Sequence, residues 1–479
     1  MRVRTLRTVA TAALASTLAF APLAASAETL SDAMVSAYRS SGLLTQQRAL
    51  LRAEDENVAV AVSRLRPVID YVVSSRFSRS NQVTTPLPAP ADGVANVFNA
   101  SAELTMRFTL FNFGRTELQV DLARENVMLA RDALVGVEQS VLLRAVQAFL
   151  GVRSSHETAM LQANNVRLIT EELRAARDRF EVGEITQTDV SAAEAALALA
   201  KSNEAAARGQ LMIAREEYRV ATGHYPNGLQ VPPPSPITVR SLSGAKALAR
   251  SRHPDILAQQ RAVKVAELAV EIAHRGMLPS LDANGSAGRS HSKLRAPATT
   301  TNSNSLGVGI TLSGPIYQGG QLSALYRQAK AQAEAGRAAL HIAVQGVEQS
   351  VANAWAQLAV AQASLQATDQ QIRANRVALR GAREEATLGA RTTLEVLAFE
   401  QDLLDAKAAR ISAQSNQYIA VYSLISSMGL LTADHLRLGI ATYDPEAYFN
   451  AVKGAPIHDI SPQGQKLDAI IETLGRAID

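Results

Sequence analysis

Side chains able to make or break bonds are scarce in this sequence. There is no Cys, which removes a thiolate nucleophile, a Cys-ligated metal centre, a disulfide scaffold and a lipidated N-terminal Cys. Eight His lie scattered from His156 to His458, with no H-E-x-x-H motif and no i, i+4 pair. His253-Pro254 reads as a helix-start turn. There is no phosphate loop or nucleophile elbow, and Gly307-x-Gly309 sits inside a strand pattern. Neither an enzyme nor a metal or cofactor site is expected. What recurs is a glycine turn with charge behind it. Val182-Gly183-Glu184 is followed by Thr186 and Asp189, and Leu388-Gly389-Ala390 by Arg391, Thr392 and Glu395. Glycine supplies the positive φ that folds one helix back on another. The Thr and acid restart the helix as caps. The chemistry on offer there is electrostatic.

The two turns belong to a chain written twice. Leu30-Ser31 matches Leu242-Ser243 and Pro67…Asp70 matches Pro279…Asp282, at an offset of 212. Phe111/Tyr317, Gly114/Gly320, Phe149/Trp355, Gly183/Gly389 and Gly223/Gly429 then match at an offset of 206. The first copy therefore has the longer loop between its strands. Pro226 to Pro236, with Pro232-Pro233-Pro234, reads as a stiff linker. The expected division is 1–27 signal peptide, 28–225 first repeat, 226–240 linker, 241–430 second repeat and 431–479 tail.

The first 27 residues have a basic start (Arg2, Arg4, Arg7), an apolar run and an Ala25-Ser26-Ala27 cleavage site. They hold three Arg and no acid, so the net charge of +4 becomes +4 − 3 = +1 without them. A near-neutral surface gives no reason to expect a nucleic-acid partner. No run of about 18 apolar residues follows Glu28, so no transmembrane helix is expected. In an exported chain, any membrane span must then be made of β-strands.

Each copy predicts helix, two strands, very long helix, turn, helix. The first helices run from about Leu30 to Arg66 and from Leu242 to Met277, ended by Pro67 and Pro279. Phe98, Ala100, Ala102, Leu104, Met106, Phe108 and Leu110 alternate with polar residues, as do Leu306, Val308, Ile310 and Leu312. Ile69, Tyr71 and Val73 alternate more loosely, and Leu281, Ala283, Gly285 and Ala287 face away from Asp282, Asn284 and Ser286. A soluble hairpin with one wet face shows this pattern too. The length of the strands and the export signal favour a membrane barrel. The segments Asn81–Asn96 and Ser290–Asn304 are polar and suit extracellular loops.

Arg115 to Glu181 holds no Pro, and Gln321 to Thr387 repeats it. Such a helix is about 100 Å long at ~1.5 Å per residue. Along the second, apolar and small residues from Leu322 to Leu358 recur at spacings of 3 and 4, with Trp355 among them as a packing residue. Helices this long need neighbours of equal length, and oligomerisation must supply some.

The twofold repeat, the two hydrophobic-Gly turns and Pro315-Ile316-Tyr317-Gln318-Gly319-Gly320 at a strand-to-helix junction resemble the TolC family of outer-membrane exit ducts. The resemblance spans essentially the whole mature chain. It implies an α+β membrane protein in which three protomers give four strands each to a 12-stranded transmembrane β-barrel. Their helices continue as a hollow α-barrel through the periplasm, and the linker and tail form an equatorial belt. The implied setting is the Gram-negative outer membrane and its lipid. The implied partners are a periplasmic adaptor (membrane fusion protein), docking at Val182, Gly183, Glu184, Leu388, Gly389 and Ala390, and an inner-membrane ABC or RND transporter. Type I protein secretion and multidrug efflux are the two candidate tasks, and the missing lipidated Cys leans towards secretion. The alternative is a periplasmic coiled-coil adaptor or scaffold without a pore, although the compact lipoyl-like domain usual in adaptors is not visible.

In the family the periplasmic end is closed. The resemblance implies a lock between Asp189 and Arg391 and an acidic ring at Glu395. Three carboxylates around a narrow axis favour cations, and their mutual repulsion should raise their pKa values. A second acidic ring is lacking, since its position holds Ala398, and Ala386 stands where an aromatic is usual.

Overall fold

The computed structural model describes residues 27–82, 93–233, 239–295, 298–458 and 460–476. The expected signal peptide, apart from Ala27, lies outside the described residues, as do linker residues 234–238 and loop residues 83–92.

The first copy opens with α1 (Leu30–Ser40) and α2 (Gly42–Ser63), the second with α5 (Leu242–Arg252) and α6 (Pro254–Arg275). Each predicted single helix is thus two. The break falls at Ser41 and its counterpart His253, both in extended backbone. Ser41 Oγ accepts the Leu44 N–H at 3.3 Å, and His253 Nδ1 accepts the Asp255 N–H at 3.2 Å. A polar side chain that satisfies the first free N–H of a new helix makes the break stable, and Pro254 suits the first helical position.

Four strands follow in pairs: β1 (Val68–Gln82) and β2 (Gly93–Phe111), then β3 (Ser280–Arg295) and β4 (Ala298–Ser313). They form one antiparallel sheet in the order β1-β2-β3-β4. The Ser290–Asn304 segment, expected as a loop, is therefore mostly strand. Its Ser, Thr and Asn side chains need only a wet surface, which a strand end offers as well as a loop does. Register aligns the apolar sets, because directly opposed residues share a face. One row reads Tyr71, Leu104, Ala287, Leu306, and the next Ile69, Met106, Gly285, Val308. The opposite face carries Asp70, Thr105, Ser286 and Gly307, then Val72, Glu103, Gly288 and Ser305. A bulge shifts the register between Thr109 and Phe111, so Phe111 rather than Leu110 opposes Leu281.

The long helices are α3 (Arg115–Glu181) and α7 (Gln321–Thr387), returning as α4 (Gln187–Thr222) and α8 (Thr393–Ser427). Both long helices start after a sharp bend. The second copy makes it with Gly319 and Gly320 at φ 58° and 83°; the first uses Phe113 at 57° and Gly114 at 74°. A bulky residue there costs roughly 1–2 kcal/mol. The Phe113 ring packs 4.8 Å from Phe111, and its carbonyl accepts from Arg275.

The helices lie side by side. Near the sheet the row runs α2, α3, α6, α7; near the turns it runs α4, α3, α8, α7. The core is accordingly a series of patches along the row. The largest sits at mid-length, where Leu142, Phe149, Tyr218, Leu424 and Leu431 are fully buried and Trp355 packs against them. One 18-residue stretch of α3 reaches a mean hydropathy of 1.3, with half of it buried inside the chain. Its apolarity serves this packing.

The chain ends join the same level. Glu28 bridges Leu229 and accepts from Tyr218, and Tyr418 donates to the Pro232 carbonyl at 2.9 Å. In the tail, α9 (Pro445–Val452) lies on α2, held by Tyr448 to Glu56 at 2.8 Å and by Arg131 over Phe449. A further helix, α10, covers Pro462–Arg476.

Candidate aperture at the helix tips

Both hairpin tips are built alike. The Glu184 N–H reaches back to the Arg179 carbonyl at 2.9 Å, and the Ala390 N–H to the Glu385 carbonyl at 2.9 Å. These bonds satisfy the last carbonyls of α3 and α7. They require Gly183 and Gly389 to sit at φ 79° and 76°. Val182 and Leu388 stand at the crown, 71% and 84% exposed.

The returning helices begin with matching capping boxes. Asp189 Oδ2 accepts the Thr186 N–H at 3.1 Å and its hydroxyl at 2.7 Å. Glu395 Oε2 accepts the Thr392 N–H at 2.9 Å and its hydroxyl at 3.1 Å. Asp189 and Glu395 are therefore the same structural position in the two copies, 206 residues apart. The matching Thr-x-x-Asp and Thr-x-x-Glu boxes carry this equivalence in the sequence, although the family resemblance implies a lock for one acid and a ring for the other.

Arg391 binds within its own tip. Its guanidinium pairs with Glu385 on the last turn of α7, lies 3.9 Å from Glu395, and covers the Phe399 ring at 5.3 Å. No hydrogen bond or ion pair joins Asp189 to Arg391 within the chain among the described residues. The Thr392 N–H and hydroxyl, with Arg391 behind them, hold the Glu395 carboxyl below its ordinary value. Within one protomer the shift is thus opposite to the raised value expected of a ring, because each carboxylate first meets its own cap.

The sign of that shift sets a pH dependence. A lowered carboxyl pKa gives support present above the unfolded value of 4.5, lost as pH falls through the folded value. Hydrogen-exchange protection factors at Thr392 and Glu395 should therefore drop between pH 6 and pH 3. Equal protection across that range would show that the cap does not hold the tip.

Sequence reasoning missed a second charged cluster below the tips. Glu400 is 5% exposed and pairs with Arg383, which also lies 3.4 Å from Glu172 on α3. Burial, above all, raises the Glu400 pKa, and its Oε2 has no hydrogen-bond partner. Leu397 of α8 is buried among Ile169, Leu173 and Val190 of the first hairpin. These contacts join the two repeats next to the tips. The signal for the cluster was only a Glu among apolar helix positions.

The outer membrane efflux protein family model matches residues 33–224 and 247–430. The chain is 35% identical to outer membrane efflux protein BepC of Brucella suis biovar 1 (strain 1330), over 93% of this chain and 95% of that one. It is 25% identical to outer membrane protein TolC of Escherichia coli (strain K12), over 86% and 84%. Among solved structures, the Campylobacter jejuni CmeC outer membrane channel superposes with a TM-score of 0.74 at 14% identity, covering 90% of each chain.

Proposed function

We propose, for a chain that belongs to the outer membrane efflux protein family, a duct closed by three copies. The protein is an outer-membrane channel that extends into the periplasm, an exit duct for efflux or secretion. The observation that supports closure by further copies is a pair of open edges, and the number three follows the resemblance to the TolC family. The sheet ends at β1 and β4, and unpaired strand edges are not tolerated in a bilayer. The helical row also ends open. Apolar side chains stand exposed on its edge helices: Leu43 and Leu50 on α2, Met212 and Ile213 on α4, Ile342 and Val360 on α7. Pairing β4 of one copy with β1 of the next continues both rows at once, and three copies give 12 strands. Residues 28–225 and 241–430 are then the two wall repeats, with 226–240 and 431–479 around the equator.

The channel is passive and catalyses nothing. It opens when a periplasmic adaptor, engaging the tips, and an inner-membrane transporter untwist the hairpins. Glu395, once per protomer, lines the closed aperture and selects cations. The test is single-channel recording of the purified protein in planar bilayers. Cation-selective steps are expected, with the permeability ratio moving towards unity in Glu395→Ala. Selectivity unchanged in the variant removes Glu395 from the aperture, and no conductance despite demonstrated insertion removes the duct.

A further inference from the structure

The apolar face of the sheet is not uniform. In the first repeat it runs, interrupted only by Ser75, as far as Phe77 and Phe98 without a charge. In the second it changes abruptly above Ala287 and Leu306. On β3 the same face continues as Arg289, His291 and Lys293, at every second residue. Beside them on β4 stand Asn304, Asn302 and Thr300. His291 Nδ1 meets Asn302 Oδ1 at 2.8 Å. Arg289, Lys293 and, on β1, Arg79 are exposed and make no ion pair among the described residues. Asp70, Glu103 and Asp282 all lie on the opposite face, so no acid neutralises this one among the described strand residues.

The height of the ladder decides its partner. A tilted strand crosses the hydrocarbon in about 9–11 residues. Counted from Leu281, at the α-helical end of the sheet, Arg289 is the ninth residue and Lys293 the thirteenth. The cations therefore emerge where the far leaflet's headgroups begin, pointing into lipid and not into the lumen. Long basic side chains extend towards such an interface. Arg offers a planar fork that fits phosphate oxygens, and Lys a point charge.

We propose that Arg289, His291 and Lys293 form a docking surface for the phosphate groups of a phosphorylated glycolipid in the outer leaflet, such as diphosphorylated lipid A. This rests on the barrel reading above, which makes the apolar face the lipid face. The asymmetry between repeats predicts one such site per protomer, over β3 and β4, with Arg79 flanking it two strands away.

The experiment places wild-type protein in phosphatidylcholine nanodiscs doped with diphosphorylated or enzymatically dephosphorylated lipid A. Lipid retained through delipidating detergent is counted by native mass spectrometry. Retention of the diphosphorylated form at least fivefold above the dephosphorylated form is expected, and this arm needs no variant. Arg289→Ser/Lys293→Ser should abolish the preference, and Arg289→Lys/Lys293→Arg should retain most of it. Arg76→Ser, on the lumenal face, should leave it intact. Millimolar inorganic phosphate should not displace the lipid, since the acyl chains add to binding. Equal retention of both lipids, or an unaltered preference in the double Ser variant, overturns the proposal. Failure to insert, read separately by conductance, would instead count against the barrel.

Discussion

Alanine at Arg391 should raise the closed-state conductance of the channel several-fold, and alanine at Asp189 should raise it less. We place these residues opposite each other across protomer boundaries. Each has valence left for that contact. Asp189 spends Oδ2 on its cap, while Oδ1 has no partner among the described residues. Arg391 uses Nε on Glu385 and Nη1 near Glu395, leaving part of a five-donor fork. Each exposed pair is individually weak, and three symmetry copies act together to bias the aperture towards closure. The order of effects follows from the contacts. Removing Arg391 also frees Glu385 from Glu395 and uncovers Phe399, so both legs of the second tip loosen. Removing Asp189 costs one cap and one partner. Arg391→Lys keeps the charge without the fork and should fall between wild type and Arg391→Ala. Identical steps in all variants would move the lock elsewhere, and Arg383 with Glu400 and Glu172 would be the next place to cut.

How far the sequence reaches follows from the range of each interaction. Periodicities of 2 and 3.6 are local, so the strand faces and the bounds of α3 and α7 were legible. Proline and glycine placed the tips. The break at His253 was legible from Pro254 after it, whereas the matching break at Ser41 escaped because no proline marks it in an otherwise apolar-periodic helix. The extent of β3 escaped because polar Ser, Thr and Asn signal water, which both loop and strand end can face. Once β3 is known to extend through Arg295, period 2 alone puts its basic residues on the apolar face; register, a long-range property, adds which β4 residues stand beside them. The aperture was half legible. The capping boxes of Asp189 and Glu395 lie within four residues and can be read directly. The Arg391–Glu385 clamp spans a turn, and the Arg383–Glu400–Glu172 cluster joins three helices, so neither has a short-range pattern.

An aspartate at both crown positions, Val182→Asp with Leu388→Asp, should reduce export at least tenfold in cells while leaving conductance in bilayers unchanged. The two apolar side chains are displayed outward although a polar residue would be no harder to accommodate there. No atom lies within 4 Å of where a Cβ on Gly183 or Gly389 would sit, so the two turn glycines face open space beside these exposed side chains. Burial of such a side chain contributes about 1.5–3 kcal/mol, and a trimer presents six. Together they form a crown of apolar knobs that a partner with matching small-residue grooves would cover. Carboxylates at those positions must be desolvated on docking, which replaces a gain by a penalty of several kcal/mol per site. Because the tips leave the core patches and the caps untouched, trimer yield and closed conductance serve as internal controls. Export retained at the wild-type level would mean that the partner grips the hairpin flanks. A parallel loss of conductance would mean that Val182 and Leu388 hold the aperture itself.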